Sequence, residues 1–395
     1  MKIVFYGTSE FAAEILTALA ARHTVAGVVC QPDRPSGRGM KLTPPPVKVA
    51  ALERGIPVYQ PRKASSREAL QWLQAIGPDL GVAASYGQIL SAEVLAIPRY
   101  GMINAHASLL PKFRGASPIQ AAILAGETET GVSIIQMTER MDQGPILARR
   151  SIPIGEETAG ELSQKLARLG AELVLETIEQ IDAGRAVAVP QDHRLATYTR
   201  PLSKADGLID WRRSAEHIQR QVRAMQPWPG AYGFLKLRNG SELRVTVWSV
   251  EVVSHEAPQS VPVAKAEGKC AGAPGDAFVS AESHAQRTVP DHCPRPVQLG
   301  SEYPSQSEKG SPAGITPGAK AEGAVPRCAA NKTESRLPPR RSCGAIEIRD
   351  GSIVVVCGSG AVRIVSIQPS GGRKLATRDF LRGRASQIGE GFVCR

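Results

Sequence analysis

An asparagine and a histidine two residues apart are the first candidates for chemistry in this chain. Asn104 and His106 lie at the end of a short apolar run, and strand residues two apart project to the same side. Ligands of an open α/β sheet bind in the crevice at the carboxyl ends of its strands, so both side chains are predicted to face a ligand there. Taken alone, such a pair is more often a hydrogen-bonded core histidine and a turn asparagine, since buried polar groups need partners.

The elements that must position this pair come from a regular alternation of strand and helix patterns over residues 1–190. This alternation predicts an α/β fold with an open, doubly wound, mainly parallel sheet and helices on both faces. A capping-box spacing from Thr158 to Glu161 predicts the start of a long helix with leucines at helical spacing. The predicted strands are residues 2–6, 25–30, 80–85, 102–107, 131–137 and 146–154.

The second half of the chain has a different pattern. Residues 191–205 are polar and are predicted to form a linker. Within residues 206–395, five short strand patterns predict a C-terminal five-stranded OB-like β-barrel, a fold suited to nucleic acid. These strands are expected at residues 231–237, 242–250, 344–349, 352–357 and 361–367.

A long insertion, residues 254–342, separates the second and third of these strands. It contains 12 of the 30 prolines and only two aromatic residues. So few large apolar side chains cannot offset the entropy of ordering the chain. The insertion is therefore predicted to be low-complexity and disordered and to loop out of the barrel, with a third domain as the alternative.

Charge is distributed unevenly along the chain. The formal net charge of +11 comes from 48 Lys and Arg against 37 Asp and Glu. Residues 1–190 carry +1, whereas residues 191–253 and 343–395 together carry +8. A basic second half predicts a polyanionic partner, although surplus basic residues that keep a protein in solution give the same count.

Several classes of protein are disfavoured. No run of 18 apolar residues occurs, so no membrane contact is expected. The first residues read as a strand rather than a secretory signal, and none of the seven cysteines forms a C-x-x-C pair, which predicts a cytoplasmic protein without a metal site. Gly7-Thr8-Ser9 lacks the spacing of a dinucleotide fingerprint. We expect a monomer.

The sequence around the Asn-His pair resembles a known family. The run from Asn104 through Ser108-Leu109-Leu110-Pro111, together with the later Asp142, is similar to the active-site elements of the folate-dependent formyltransferases. The resemblance implies a Rossmann-like formyltransferase domain with Asn104, His106 and Asp142 as catalytic residues. It also implies 10-formyltetrahydrofolate as a co-substrate and no tightly bound cofactor. Without the resemblance, Asp142 is an ordinary exposed acid at a turn.

The chemistry that this family resemblance implies has a physical rationale. Formyl transfer to an amine passes through a tetrahedral oxyanion, and donors preorganised toward that oxygen contribute about 2.7–4 kcal/mol each. The Asn104 amide and a protonated His106 are the implied donors. Asp142 would orient the imidazole, favour its protonated form and hold a water that assists the amine.

Two segments are implied as walls for the folate. One is Ser108, Leu109, Leu110 and Pro111, a rigid apolar turn suited to a flat pterin. The other consists of Tyr86, Gln88, Ile89 and Leu90. On composition alone, each segment is an ordinary apolar loop.

A basic, glycine- and proline-rich loop at residues 32–48 bears on the formyl acceptor. It resembles the tRNA-acceptor-binding insertion of the family members that formylate initiator methionyl-tRNA for translation initiation, which implies Arg34, Arg38 and Lys41 as tRNA-binding residues. A flexible basic surface loop is the ordinary alternative. Two other functions stay open at this point: formylation of a nucleotide-sugar amine, and RNA binding by a relative without turnover.

Overall fold

The computed structural model describes residues 1–36, 39–253 and 342–394, all within one compact unit of the chain. The predicted disordered insertion lies outside the described residues except for Ser342, and so does Arg38 of the basic loop. No helix among the described residues is both long and apolar enough to cross a membrane.

Strands and helices alternate through the N-terminal part, as the sequence predicted. The strands are β1 (Lys2–Gly7), β2 (Thr24–Val29), β3 (Arg34–Ser36), β4 (Lys41–Thr43), β5 (Val58–Tyr59), β6 (Leu80–Ala84), β7 (Met102–His106), β8 (Arg114–Gly115), β9 (Glu129–Gln136), β10 (Ile146–Pro153) and β11 (Tyr198–Thr199). The helices are α1 (Glu10–Arg22), α2 (Pro46–Leu52), α3 (Arg67–Ile76), α4 (Ala92–Ala96), α5 (Pro118–Ala125) and α6 (Ala159–Asp182).

Seven of these strands form one sheet in the order β10-β9-β7-β6-β1-β2-β5. The five strands from β7 to β5 are parallel, whereas β9 and β10 are antiparallel additions at one edge. Residues Ile3 to Phe5 of β1 are completely buried, as expected for a central parallel strand covered on both faces. The predicted doubly wound, mainly parallel sheet is therefore confirmed.

Helices cover both faces of this sheet. On one face, α1 and α6 pack into the same hydrophobic core as β1, and on the other face Leu73 of α3 and Val94 of α4 pack against a second buried cluster. The capping box that the sequence predicted is present, because the Thr158 backbone N–H donates to Glu161 Oε2 over 2.8 Å. The chain passes outward from β1 to β2 and later crosses back to β6. The sheet therefore has a topological switch point at the carboxyl ends of β1 and β6.

The C-terminal part forms an antiparallel sheet that curves into a nearly closed barrel. All five predicted strands are present, together with two that the sequence analysis missed. Its elements are α7 (Ala215–Ala224), β12 (Ala231–Leu237), β13 (Glu242–Val253), β14 (Ile346–Arg349), β15 (Ser352–Val356), β16 (Ala361–Pro369), β17 (Leu375–Ala376), α8 (Thr377–Arg382) and β18 (Ile388–Phe392).

The last strand, β18, closes the barrel. It pairs with β12, and the Phe392 N–H donates to the Gly344 carbonyl over 2.8 Å just before β14. Two of its five residues are glycine, which weakens the strand signal in the sequence. Phe392 is buried, and its ring lies 4.6 Å from that of the fully buried Trp211.

Replacing Phe392 by alanine should open this closure. Truncating a buried Phe typically lowers the free energy of unfolding by about 3–5 kcal/mol, and this loss should appear in urea unfolding followed by tryptophan fluorescence. Val365→Ala, at a position on β16 that is 40% exposed, is the control and should lower the free energy of unfolding far less. Equal losses in the two variants would contradict the role of β18.

Candidate active site

A cleft of about 480 Å³ opens at the carboxyl ends of β6 and β7. Its size is typical of small-molecule sites. Asn104 and His106 from β7 and Asp142 from the loop after β9 all line it. The structure therefore brings together the three polar side chains that the sequence singled out, although they come from two separate segments.

His106 is fixed by a backbone carbonyl. Its Nε2 atom lies 2.9 Å from the oxygen of Phe113, and a carbonyl can only accept, so Nε2 carries the proton of this hydrogen bond. The other ring nitrogen, Nδ1, lies 3.6 Å from Oδ2 of Asp142. Because both side chains are nearly buried, with 6% and 11% of their surface exposed, this pair lies in a site with little screening by water.

Asp142 has an unusual backbone conformation. Its φ of 56° lies in the left-handed region, which costs a non-glycine residue about 1–3 kcal/mol. Its Oδ2 atom accepts a hydrogen bond from the Gly115 N–H over 2.8 Å. Two residues later, a Cβ atom on Gly144 would lie 1.7 Å from the Gln136 carbonyl oxygen, so only glycine allows the loop to approach β9 this closely.

Backbone strain is concentrated around the cleft. Five non-glycine residues in the described ranges have positive φ, and three of them are Ser85, Phe113 and Asp142. Ser85 and Asp142 line the cleft, and Phe113 supplies the carbonyl that holds His106. Such strain persists only where the surroundings impose it, and it clusters at functional sites.

Among the three predicted catalytic residues, Asn104 has the side chain with the fewest protein partners. It is half-buried on the cleft side of β7. Among the described residues, no protein group forms a hydrogen bond with its amide, whereas His106 and Asp142 both have backbone partners. A half-buried amide that faces a cleft in this way can donate to an oxygen of a bound molecule.

The segment after β6 forms one wall of the cleft, where the sequence placed it. The Tyr86 carbonyl accepts hydrogen bonds from Thr8 Oγ1 and Gln31 Nε2, and Gln88 is held by the backbone of Arg62 and Ala64. Burial raises the pKa of Tyr86 above its ordinary value, so the phenol stays neutral. Ile89 is 70% exposed and Leu90 is buried, and all four predicted wall residues line the cleft.

The other predicted wall is not among the residues that line this cleft, and its contact with the folate stays a prediction. Residues Ser108, Leu109, Leu110 and Pro111 are not among the residues that line the cleft. After His106 the chain turns toward β9, where Ser133 Oγ donates to the Ser108 carbonyl and accepts from the Leu110 N–H. These hydrogen bonds keep Ser108 and Leu110 fully buried, so the segment supports the loop that leads to Phe113.

Several lining residues were missed by the sequence analysis. Residues 138–141 line the cleft beside Asp142, and their position in the sequence was the available signal. Gly115, Thr199 and Pro201 also line it. Thr199 and Pro201 lie in the segment predicted as a linker, and no local pattern indicated that β11 pairs with β8.

The basic loop folds in part as an antiparallel pair of strands, β3 and β4. Arg34 and Lys41 lie on this pair with exposed side chains. At its base, Lys48 Nζ lies 2.9 Å from both carboxylate oxygens of Asp33. Hydrogen bonds from Lys48 and Gln60 hold the pKa of Asp33 below its usual range. Arg34 and Lys41 are therefore presented on a hairpin whose base is anchored.

Comparison with known protein families gives matches along most of the chain. Residues 1–178 match the family model described as formyl transferase, and residues 201–284 and 323–385 match its C-terminal domain. The methionyl-tRNA formyltransferase of Symbiobacterium thermophilum is 50% identical over 264 residues, which are 66% of this chain and 79% of that protein. The methionyl-tRNA formyltransferase of Aromatoleum aromaticum is 46% identical over 271 residues, 68% of this chain and 84% of that protein.

The chain belongs to the methionyl-tRNA formyltransferase family. The family resemblance inferred from the sequence is thus confirmed. The match to the C-terminal family model extends to residue 284 and resumes at residue 323, so it includes parts of the insertion at residues 254–342.

Among solved structures, a variant of HypX from Aquifex aeolicus superposes with a TM-score of 0.52 at 16% identity. The match covers 99% of this chain and 48% of HypX, so the chain spans about half the length of that protein. At this identity the likeness concerns the fold alone. It agrees with a Rossmann-like domain followed by an antiparallel barrel.

Proposed function

We propose that this chain transfers the formyl group of 10-formyltetrahydrofolate to the α-amino group of methionyl-tRNA. The product is the N-formylmethionyl-tRNA that initiates translation. The proposal depends on one observation above all: Asn104, His106 and Asp142 converge on a single cleft. Relatives that share 46% and 50% of their residues with this chain over most of its length carry the name of this activity.

The Asn104 amide is the principal donor to the oxyanion. When the amine attacks the formyl carbon, the carbonyl oxygen becomes negatively charged, and a preorganised donor is worth more at that moment than in the ground state. The amide requires no rearrangement because it faces the cleft without a protein partner among the described residues. His106 can add a second donor only after Nδ1 has accepted a proton, since Nε2 is already bonded to Phe113.

The pair of His106 and Asp142 handles the proton. A new bond forms between the amino nitrogen and the formyl carbon, the bond to N10 of the folate breaks, and one proton moves from the amine to N10. Nδ1 of His106 lies at the cleft beside the Asp142 carboxylate, where the imidazolium formed by accepting that proton is stabilised. The same nitrogen then returns the proton to the leaving N10.

The folate occupies the part of the cleft between Tyr86–Leu90 and residues 138–141. Ile89 and Met141 have exposed side chains at this cleft, with 70% and 51% of their surface accessible. A flat ring system that packs against these side chains would remove their apolar surface from water, which favours binding. Ser108 to Pro111 are retained in this proposal as the second folate-binding segment, and they also shape the turn that leads to Phe113.

The tRNA is held by two basic surfaces. The hairpin with Arg34 and Lys41 adjoins the cleft, because Gln31 at its base donates to the Tyr86 carbonyl. The barrel and its preceding segment carry most of the surplus positive charge of the chain. The hairpin would contact phosphates near the aminoacylated end, while the barrel holds the backbone of the tRNA body.

An acceptor assay tests this function directly. The chain and 10-formyltetrahydrofolate are incubated with methionyl-tRNA or with a nucleotide-linked amino sugar, and formylated product is measured by mass spectrometry. We expect formylation of methionyl-tRNA only. Formylation of the amino sugar would instead support a small-molecule formyltransferase, and tRNA binding without any formylation would support an RNA-binding relative.

The oxyanion role predicts a selective loss in Asn104→Ala. Removing one preorganised donor should lower kcat about 10²–10³-fold, while the Kd for methionyl-tRNA stays near that of the unmodified chain. Asn104→Asp should behave similarly, because it keeps the shape and replaces the donor by an acceptor. Asn239→Ala, in an exposed turn of the barrel, is the matched control, and unchanged turnover in Asn104→Ala would contradict the role.

The hairpin predicts a change in salt dependence. Lys41→Ala should raise the KM for methionyl-tRNA but not for the folate. The slope of log affinity against log salt should fall by about 0.7–0.9, because the variant neutralises one phosphate fewer. Lys165→Ala removes one positive charge from α6 as a control and should leave the slope unchanged. Equal changes in both KM values for Lys41→Ala would contradict the assignment.

A further inference from the structure

A buried glutamine outside the cleft is bonded to the backbone of the loop that carries Asp142. Gln191 is 7% exposed, and its Nε2 donates to the Asp142 carbonyl over 2.9 Å and to the Gly144 carbonyl over 2.7 Å. Both hydrogens of the amide are thus used on either side of the turn. They stabilise the turn in which Asp142 has its left-handed conformation.

The other end of the same amide binds a buried guanidinium. Gln191 Oε1 accepts from Arg114 Nη2 over 2.7 Å and from Nε over 3.2 Å. Arg114 is fully buried, and no carboxylate of the described residues lies within ion-pair distance of it. Its remaining hydrogen-bond partners are Nδ1 of His193 and the hydroxyl of Tyr198.

A buried cation would ordinarily favour a carboxylate as its partner. A glutamate at position 191 would satisfy Arg114 better, but it would place an oxygen against the carbonyls of Asp142 and Gly144. Only an amide can accept from Arg114 at one end and donate to two carbonyls at the other. A glutamine at this position therefore satisfies the backbone around Asp142, whereas a glutamate would only pair better with Arg114.

Arg114 also lies in β8, next to the residues that contact the side chains of Asp142 and His106. Its neighbour Gly115 donates its N–H to the Asp142 carboxylate, and Phe113, which precedes it, holds His106. The pair of Arg114 and Gln191 thus connects the backbone that carries Asp142 to the backbone that binds both catalytic side chains.

We propose that Gln191, held by Arg114, is a positioning residue that keeps the Asp142 carboxylate beside His106. This inference rests on the proposed function for the consequence in turnover. The positioning itself depends only on hydrogen bonds, so it can be tested without measuring turnover. It gives Gln191, which lies in the segment 191–205 predicted as a linker, a role in the catalytic site.

The test compares Gln191→Glu with a control of the same design. Gln191→Glu keeps an acceptor for Arg114 and removes both donations to the loop. Gln221 is also buried and donates to two carbonyls, those of Asp206 and Leu208. Gln221→Glu therefore removes an equivalent pair of hydrogen bonds away from the cleft. Gln191→Met removes the donors without adding a charge and serves if Gln191→Glu folds poorly.

Two measurements are made on each variant. In Gln191→Glu and Gln191→Met, kcat should fall on the order of 10²-fold, because small misplacements of catalytic groups have effects of that size, while both KM values change far less. Hydrogen exchange at the Gly115 amide should become roughly tenfold faster, as expected when a hydrogen bond to a moved partner is weakened. Gln221→Glu should change neither quantity.

The outcomes separate the two proposals. Unchanged kcat and unchanged Gly115 exchange in the Gln191 variants would overturn the positioning role, as would an equal loss of kcat in Gln221→Glu. If the unmodified chain fails to formylate methionyl-tRNA, the proposed function is contradicted. In that case the exchange rate of Gly115 still decides whether Gln191 positions Asp142.

Discussion

The carboxylate of Asp142 lies beside the imidazole of His106, although the two residues belong to different segments and only His106 has ordinary strand backbone. His106 ends β7, where the sheet fixes its position. Asp142 has left-handed backbone and would relax if it were free. It is held at three points, by the Gly115 amide on its side chain, by Gln191 on its carbonyl and by the close approach of Gly144 to β9. The rest of the site depends on these contacts.

The parts of this arrangement that follow from local patterns could be predicted from the sequence. The buried run of β1, the cap at Thr158 and the repeat of leucines in α6 are each determined within a few residues, and they were enough to predict the sheet and its helices. Asn104 and His106 follow from strand periodicity and from the rule that ligands bind at strand ends. Asp142 was different, since only the family resemblance distinguished it from an exposed acid.

The parts that the sequence did not predict depend on contacts between distant residues. Gln191 and Thr199 looked like linker residues because their partners, Arg114 and Gly115, lie far away in the sequence. The backbone contacts of Ser108 to Pro111 also depend on distant residues, and their role as a folate wall, which the family resemblance implied, stays a prediction. The hydroxyl of Ser133 forms hydrogen bonds with the backbone of Ser108 and Leu110, and these contacts cannot be predicted from composition. Strand β18 was missed because its two glycines weaken the strand pattern in the sequence. Its pairing with β12 is evident only in the folded barrel.

The segment that positions Asp142 also leads directly into the barrel, which has a physical consequence for the proposed reaction. From Thr199 the chain reaches Ile209, whose N–H donates to the Tyr232 carbonyl of β12, and the Gly160 N–H at the start of α6 donates to the Gln226 carbonyl after α7. Residues of the sheet and of the barrel also share one hydrophobic core. If the barrel binds the tRNA body as proposed, that body is held at a fixed offset from the cleft. A fixed offset would hold the amino group close to the formyl donor. The reaction between them then resembles an intramolecular step, which is a large source of rate acceleration. Under the proposed function, it would also select acceptors by the distance from the tRNA body to the amine, a criterion that a small amino sugar does not meet.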